Sequence, residues 1–165
     1  MDSFTIREAI PGDEAAILGF IRELAEYENL LHEVVATEAD LCEALFAENS
    51  VAHALIVEVE SQPVAFALYF YNFSTFAGRK GIYLEDLYVQ PDFRGKGIGR
   101  SLLKKLAGIA VQEGCARFEW AALDWNQPAI DVYTGIGAVQ MEEWTTFRLD
   151  GGALKVFAEG CIPKT

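Results

Sequence analysis

Positive charge is scarce in this chain. Its 165 residues include 13 lysines and arginines against 25 aspartates and glutamates, which gives a formal net charge of −12 at pH 7. A surface of that sign repels nucleic acid and anionic membranes, and its long-range field favours cationic partners. The composition therefore predicts no nucleic-acid partner and no membrane partner.

Histidine and cysteine are also sparse. His32 and His53 are isolated in the sequence, and Cys42, Cys115 and Cys161 are odd in number, with no C-x-x-C pair among them. Such spacing supports neither a zinc site nor a disulfide framework. We expect no metal cofactor, and buried free thiols in a reducing compartment are the simpler interpretation.

Long apolar runs are missing as well. Every apolar stretch is interrupted well before the roughly 20 residues that span a bilayer, and the first seven residues do not resemble a signal peptide. Hydrophobic residues nevertheless make up 52% of the chain, enough for a full core. We expect a single soluble domain over residues 1–165, located in the cytoplasm.

Hydrophobic periodicity predicts a mixed α/β fold with the order β-α-α-β-β-β-α-β-α-β-β. Helices are expected after Asp13, after the cap Thr37, over residues 101–111 and over residues 126–134. The seven predicted strands are residues 4–7, 52–60, 64–72, 81–89 and 118–123, then 139–141 taken together with 145–149, and 154–158. The central strand, loop and helix form a crossover connection.

A glycine-rich segment lies between the strand at 81–89 and the helix at 101–111. It reads Arg94-Gly95-Lys96-Gly97-Ile98-Gly99. Closely spaced glycines let the backbone approach a ligand, so that successive N–H groups at a helix N-terminus can point at one anion. The segment predicts a phosphate-binding loop, with an ordinary glycine-rich turn as the alternative.

Two familiar phosphate loops do not fit this segment. A Walker loop would place Ser or Thr where Gly97 stands, and a dinucleotide fingerprint would place glycine where Arg100 stands. The pattern Arg/Gln-x-x-Gly-x-Gly/Ala does fit. It resembles the pyrophosphate loop of the GNAT superfamily of N-acetyltransferases, enzymes that bind acetyl-CoA.

Two adjacent carboxylates, Glu85 and Asp86, lie within the apolar strand at 81–89. Acidic residues are depleted in strands, where successive side chains face opposite sides, so something must offset their cost. One interpretation is an acidic strand end neutralised by Lys80 or Arg94. The other is a functional pair, because ligands bind at the carboxyl ends of strands in open α/β sheets.

A second candidate constellation is Asn126-Gln127-Pro128-Ala129 followed by Tyr133. Asn126 suits a helix N-cap and Pro128 the first turn, so Tyr133 falls on about the same helix face two turns later. Taken alone, this pattern is typical of a capped helix with a packed tyrosine. Its position also resembles the second cofactor helix of the acetyltransferases, whose tyrosine stands beside the CoA sulfur.

The resemblance narrows to the spermidine/spermine (diamine) acetyltransferases, a group that includes thialysine acetyltransferases, and it is collinear over nearly the whole chain. The shared motifs include Ile21-x-x-Leu24-Ala25-x-Tyr27-Glu28, Gly81-x-Tyr83-Leu84-Glu85-Asp86 and Trp125-Asn126-x-Pro128-Ala129. The chain differs from the pattern over residues 57–64 and 73–79, which approach the acceptor pocket in that group.

This resemblance implies a mixed sheet flanked by helices, acetyl-CoA as cosubstrate and a homodimer. It makes Glu85 the water-assisted base that deprotonates an ammonium, and Tyr133 the general acid that protonates the leaving thiolate. Acetyl-CoA binding is implied for Leu87, Tyr88, Val89, Arg94, Gly95, Lys96, Gly97, Ile98, Gly99, Arg100, Asn126, Gln127, Pro128 and Ala129. The amine site is implied for Tyr27, Glu28, Glu85, Asp86, Glu119, Trp120 and Ala121.

The expected function is acetyl transfer from acetyl-CoA to a primary amine of a small cationic acceptor, such as a polyamine, a diamine or a thialysine-like molecule. Acetylation of a protein lysine or N-terminus is an alternative within enzymes. A non-catalytic acetyl-CoA sensor is the alternative from another class. A sensor could dispense with Glu85 and Tyr133, so the presence of both residues favours catalysis.

Overall fold

The computed structural model of the protein describes residues 3–160, so Cys161 lies outside the described part. The chain divides into two compact units, one ending at Asp124 and one beginning at Trp125. Within residues 3–160 no helix is long and apolar enough to cross a membrane.

The first unit contains five strands and three helices. The strands are β1 Phe4–Glu8, β2 His53–Val59, β3 Gln62–Ser74, β4 Arg79–Val89 and β5 Phe118–Trp120. The helices are α1 Glu14–Tyr27, α2 Glu38–Phe46 and α3 Ile98–Gln112.

The five strands form one mixed sheet in the order β1-β2-β3-β4-β5. Strands β1 to β4 are each antiparallel to the next, and β5 runs parallel to β4. Parallel neighbours need a crossover, which the α3 connection supplies. The predicted mixed α/β sheet with flanking helices is therefore confirmed, although β5 is shorter than the predicted strand at 118–123.

Helices cover both faces of the sheet. On one face, Phe20 of α1 stacks on Phe66 of β3 with ring centroids 5.7 Å apart, in a core that also includes Leu41 and Leu45 of α2 and Tyr88 of β4. We call this side the α1 face. The other side, the α3 face, is covered by α3, whose Leu102 and Leu106 are fully buried.

Local signals fix the starts of α1 and α2 differently. The predicted cap at Thr37 is confirmed by a complete capping box, in which the Asp40 N–H donates to the Thr37 hydroxyl and the Thr37 N–H donates to the Asp40 carboxylate. Asp13 stands at the N-cap position of α1, but its side chain makes no capping hydrogen bond. It accepts instead from the Arg7 guanidinium at 2.6 and 2.9 Å, which ties α1 to β1.

The second unit contains α4 Gln127–Gly135 and α5 Gly151–Ala158. The predicted late strands are wrong: residues 139–141 and 145–149 are irregular, and residues 154–158 belong to α5. A strand needs a neighbour to satisfy its backbone groups, and a short apolar run has no period that separates strand from helix. Here residues 151–158 satisfy their backbone within a helix instead.

The thiols also differ from expectation. Cys42 and Cys115 are free, but Cys42 is exposed on α2 and Cys115 is only partly buried. Cys42 lies beside the Glu14 carboxylate, and their hydrogen bond raises the pKa of the thiol. Among residues 3–160, no group of three or more His, Cys, Asp or Glu side chains could hold a metal ion.

Candidate active site

The glycine-rich loop forms an open cradle at the N-terminus of α3. Gly95 and Gly97 have φ of +74° and +82°, in the left-handed region, and Gly97 is the N-cap residue. A Cβ built on either glycine would meet no atom within 4 Å, whereas one on Gly99 would contact the Leu87 and Val89 side chains at 3.7 and 3.8 Å. The first N–H groups of the helix have no intrahelical partner and face this space.

That cradle fits a pyrophosphate. Left-handed glycines turn the chain without a side chain in front of the helix N-terminus, and the amides and the helix dipole together favour an anion there. Ile98 is buried directly behind the loop, which fixes its position against the core. The residues present are therefore suited to the diphosphate of acetyl-CoA.

Arg94 does not simply add charge to this loop. Its Nε donates to the Val89 carbonyl oxygen at 2.8 Å, and its guanidinium carbon lies 5.5 Å from the Tyr27 ring centroid and 5.4 Å from that of Tyr88. Arg94 thus connects the loop to β4 and to the end of α1. The Lys96 ammonium lies 5.1 Å from the Phe93 ring centroid.

A β-bulge separates the two adjacent carboxylates of β4. Leu68 of β3 pairs with Asp86 and Tyr69 pairs with Leu84, so Glu85 is the extra residue without a partner. A bulge shifts the alternation of side chains by one position. Asp86 therefore shares the α1 face with Tyr88, whereas Leu84 is on the α3 face.

The bulge creates an anionic site on the α1 face. Glu85 is exposed, while burial raises the pKa of Asp86 to about 6, an effect reinforced by the negative charges of Glu85 and Glu28. Burial also raises the pKa of Glu28, at the C-cap of α1. Lys80 is paired with Glu113, and Arg94 is engaged as described, so neither cation neutralises the carboxylates.

A second acidic group lies one strand away. Glu119 of β5 is paired with Tyr83 of β4, and both side chains are on the α1 face. Its carboxylate accepts from Arg117 Nε at 2.8 Å and from Asn72 Nδ2 at 3.0 Å. Burial, with the charges of Glu85 and Glu119, raises the pKa of Tyr83, so the two carboxylates flank this tyrosine.

The implied amine-site residues do not all share one side. Asp86 and Glu119 lie on the α1 face, and Glu28 and Glu85 are close enough to Asp86 for their charges to raise its pKa. The Arg94 guanidinium links Tyr27 to Tyr88 of the same face. Trp120 pairs with Leu84 and therefore lies on the α3 face, where its ring centroid is 4.8 Å from that of Phe118, and Ala121 is exposed after β5 ends.

Sequence reasoning missed Asn72 and Arg117 as partners of Glu119. Neither belongs to a motif, and the register that joins β3, β4 and β5 cannot be inferred from local sequence. Glu23 of α1 accepts from the Gln90 amide at 3.3 Å and hydrogen-bonds the Tyr88 hydroxyl.

In the second unit, Asn126 occupies the N-cap position of α4, as predicted, although its side chain makes no capping hydrogen bond. Pro128 lies in the first turn, and Gln127 donates to Asp131 at 2.7 Å. Tyr133 follows two turns after Asn126 and is partly buried. The predicted helix at 126–134 is confirmed as Gln127–Gly135.

The arrangement combines an anion cradle, an exposed carboxylate at a strand bulge and a desolvated acidic face bearing aromatic rings. Such a face attracts cations, and an exposed carboxylate beside it is chemically able to accept a proton.

Comparison of the sequence with known proteins identifies a family that the chain matches. The profile described as "Acetyltransferase (GNAT) family" matches residues 18–138. The chain is 43% identical to a thialysine N-epsilon-acetyltransferase of Sus scrofa over 96% of this chain and 99% of that protein. It is 39% identical to a human spermidine/spermine N(1)-acetyltransferase-like protein 1 over 91% of this chain and 23% of that protein.

A solved structure shares the fold. An integron cassette protein from the mobile metagenome of V. cholerae superposes with a TM-score of 0.80 at 30% identity, covering 96% of this chain and 99% of that one.

Proposed function

The chain belongs to the acetyltransferase (GNAT) family and is an acetyl-CoA-dependent N-acetyltransferase, and we propose that its acceptor is a small cationic molecule bearing a primary amine. The acceptor classes are the polyamines, the diamines and thialysine-like amino acids. Relatives named for thialysine and for spermidine/spermine support this range.

The grouping of Glu28 and Glu85 around the buried Asp86 carries the proposal. Carboxylates forced together in a partly buried site resist ionisation, and a bound ammonium relieves that repulsion. Tyr27 and Tyr83 add ring faces, which attract cations. A neutral or anionic acceptor would gain nothing from this site.

Acetyl-CoA supplies a thioester carbonyl as the electrophile. Glu85 takes a proton from the acceptor ammonium through a water molecule, which frees the nitrogen lone pair for attack. Asp86 and Glu28 hold the cation in place. The Gly95–Gly99 amides bind the diphosphate, and backbone N–H groups near Val89 stabilise negative charge on the carbonyl oxygen.

Tyr133 donates a proton to the departing thiolate. Leu87, Tyr88 and Val89 line the cofactor along β4, together with Arg94, Lys96 and Arg100 of the loop. By the family resemblance, residues 126–129 also bind acetyl-CoA. Orientation of the two reactants contributes more than either proton transfer, since it supplies about 7–11 kcal/mol in favourable cases.

We further propose that the protein acts as a cytoplasmic homodimer. Large apolar side chains of the second unit are exposed, among them Trp144 and Phe147. Exposed aromatic side chains of this size are enriched at protein interfaces. Within residues 3–160, the free thiols of Cys42 and Cys115 fit a reducing compartment.

The proposal is tested by acetyl-CoA turnover with purified protein against polyamines, diamines, thialysine, free amino acids and a lysine peptide. We expect turnover with at least one small amine and little with the peptide. Glu85→Gln and Tyr133→Phe should each lower kcat by about 10²–10⁴, the range for a lost acid or base, with acetyl-CoA still bound.

Lys105→Gln is the control, because Lys105 is exposed on α3, away from the α1 face. Preference for the lysine peptide would contradict the small-acceptor assignment. A near-normal kcat in Glu85→Gln or Tyr133→Phe would remove that residue from the chemistry.

A further inference from the structure

The acidic residues of the α1 face are not equivalent. Around the β4 bulge, burial and the negative charges of Glu85 and Glu28 raise the pKa of Asp86. One strand away, Glu119 is neutralised by Arg117, whose Nε lies 2.8 Å from the carboxylate oxygen. The site therefore has an anionic end at β4 and a charge-balanced end at β5.

The balanced end is held at an energetic cost. The Asn72 amide donates to Glu119 at 3.0 Å, and this orientation leaves its Oδ1 buried without a hydrogen-bond partner in the described structure. An unsatisfied buried acceptor destabilises a fold by more than a partly exposed ion pair stabilises it, so the network does not increase the stability of the protein. What it does is fix the position of the Glu119 carboxylate.

Gly81 is part of the same arrangement. A Cβ at this position would lie 2.5 Å from Asn72 Oδ1 and 2.8 Å from Arg117 Cγ. Any other residue would therefore displace the two groups that hold Glu119. The sequence keeps this contact open in the middle of a paired strand, where glycine is otherwise unfavourable.

The spacing of the two ends matches a short bifunctional molecule. Glu119 is the cross-strand partner of Tyr83, and Glu85 lies two residues farther along β4. Strand spacing and rise place the two backbone positions about 8 Å apart. An extended lysine side chain carries its amine about 6 Å from its α-carbon, and the side chains of the site bridge the remainder.

We propose that Glu119 and Arg117 form a subsite for the zwitterionic head of an amino-acid acceptor. Glu119 binds the α-ammonium and Arg117 the α-carboxylate, while the side-chain amine lies at Glu85 and Asp86. Arg117 has five N–H donors, of which the contacts with Glu119 and the Phe73 carbonyl use two. This inference rests on the proposed amine acetylation and narrows its acceptor to lysine-like amino acids.

A second ammonium in place of that head is disfavoured. The charge of Glu119 is already balanced, and the Arg117 guanidinium repels a cation that lacks the carboxylate. The subsite therefore disfavours a diamine, whose second ammonium meets the Arg117 guanidinium without a carboxylate to pair it. It favours an amino acid, because both charges of the head group are paired.

Three acceptors that share the same reacting aminoethyl arm and differ only in the head group test the contribution of the head group. They are thialysine, the diamine that lacks its carboxylate, and the carboxylic acid that lacks its α-amine. The measurement is kcat/KM for each acceptor at saturating acetyl-CoA. We expect wild-type protein to favour thialysine at least tenfold over both analogues.

Two variants then separate the roles. Arg117→Gln should lower the preference for thialysine over the diamine by about tenfold or more, and Glu119→Gln should lower the preference for thialysine over the acid by a similar factor. Lys105→Gln should leave both ratios unchanged. Each ratio is measured within one variant, so a reduced folded fraction does not alter it.

A wild-type protein that uses the diamine as well as thialysine would overturn the inference and leave acetyl transfer intact. An equal loss with all three acceptors in Arg117→Gln would also overturn it, because it would show a structural role. Turnover of none of the amines would instead contradict the proposed function itself.

Discussion

The buried carboxyl of Asp86 lies in the proposed amine site and lowers the stability of the folded protein at neutral pH. Its pKa of about 6 lies above the value of 3.8 for a free aspartate, so the folded protein binds this proton more tightly than the unfolded chain. The contribution of protonated Asp86 to the free energy of unfolding is fully present below about pH 4 and is lost as the pH rises through 6. At pH 7 the charged group therefore opposes folding.

Asp86→Asn should consequently stabilise the protein at pH 7 while weakening amine binding. We expect a gain on the order of 1–3 kcal/mol in the free energy of unfolding, shrinking as the pH falls toward 5. Urea unfolding at pH 5.5 and 7.5 measures it, with Asp92→Asn as a control for net charge at an exposed site. Equal stabilities of Asp86→Asn and wild type at pH 7.5 would show that Asp86 is not strained.

The start of α3 offers a test of the phosphate cradle. In Gly97→Ala, a left-handed φ of +82° costs the fold roughly 1–2 kcal/mol, and the new Cβ enters the open space in front of the helix. We expect the Kd for CoA, measured by calorimetry, to rise at least tenfold. Gly114→Ala is the matched control, because its φ is +67° with the same open surroundings, at the other end of α3.

Loss of stability without loss of CoA affinity in Gly97→Ala would contradict the assignment of this loop as a phosphate cradle.

Among the other elements, helix α2 was predicted correctly from its capping residues alone, whereas the strands predicted after residue 138 did not form. The difference is physical: a capping box satisfies its own backbone groups within four residues, but a strand depends on a neighbour that its own sequence does not specify.

Exposed apolar surface in the second unit makes self-association the main prediction for the protein as a whole. Phe147 is 90% exposed and Trp144 73% exposed, values that are costly for aromatic side chains in water. We expect sedimentation equilibrium to give a mass of about twice 18.2 kDa. The double variant Trp144→Ser/Phe147→Ser should dissociate, and Val111→Ser, at an exposed position of α3, should not. A wild-type monomer at micromolar concentration would contradict the dimer.

The sequence alone determined the mixed α/β order of the first unit, the glycine cradle and the adjacent acids Glu85 and Asp86. These depend on periodicity, capping and backbone freedom, which act over a few residues. Tertiary structure decided the rest of the site. The bulge that places Asp86 on the α1 face, and the partners of Arg94 and Glu119, depend on which residues of other strands and helices lie opposite. That register is set by packing between distant segments, so no local pattern in the chain contains it.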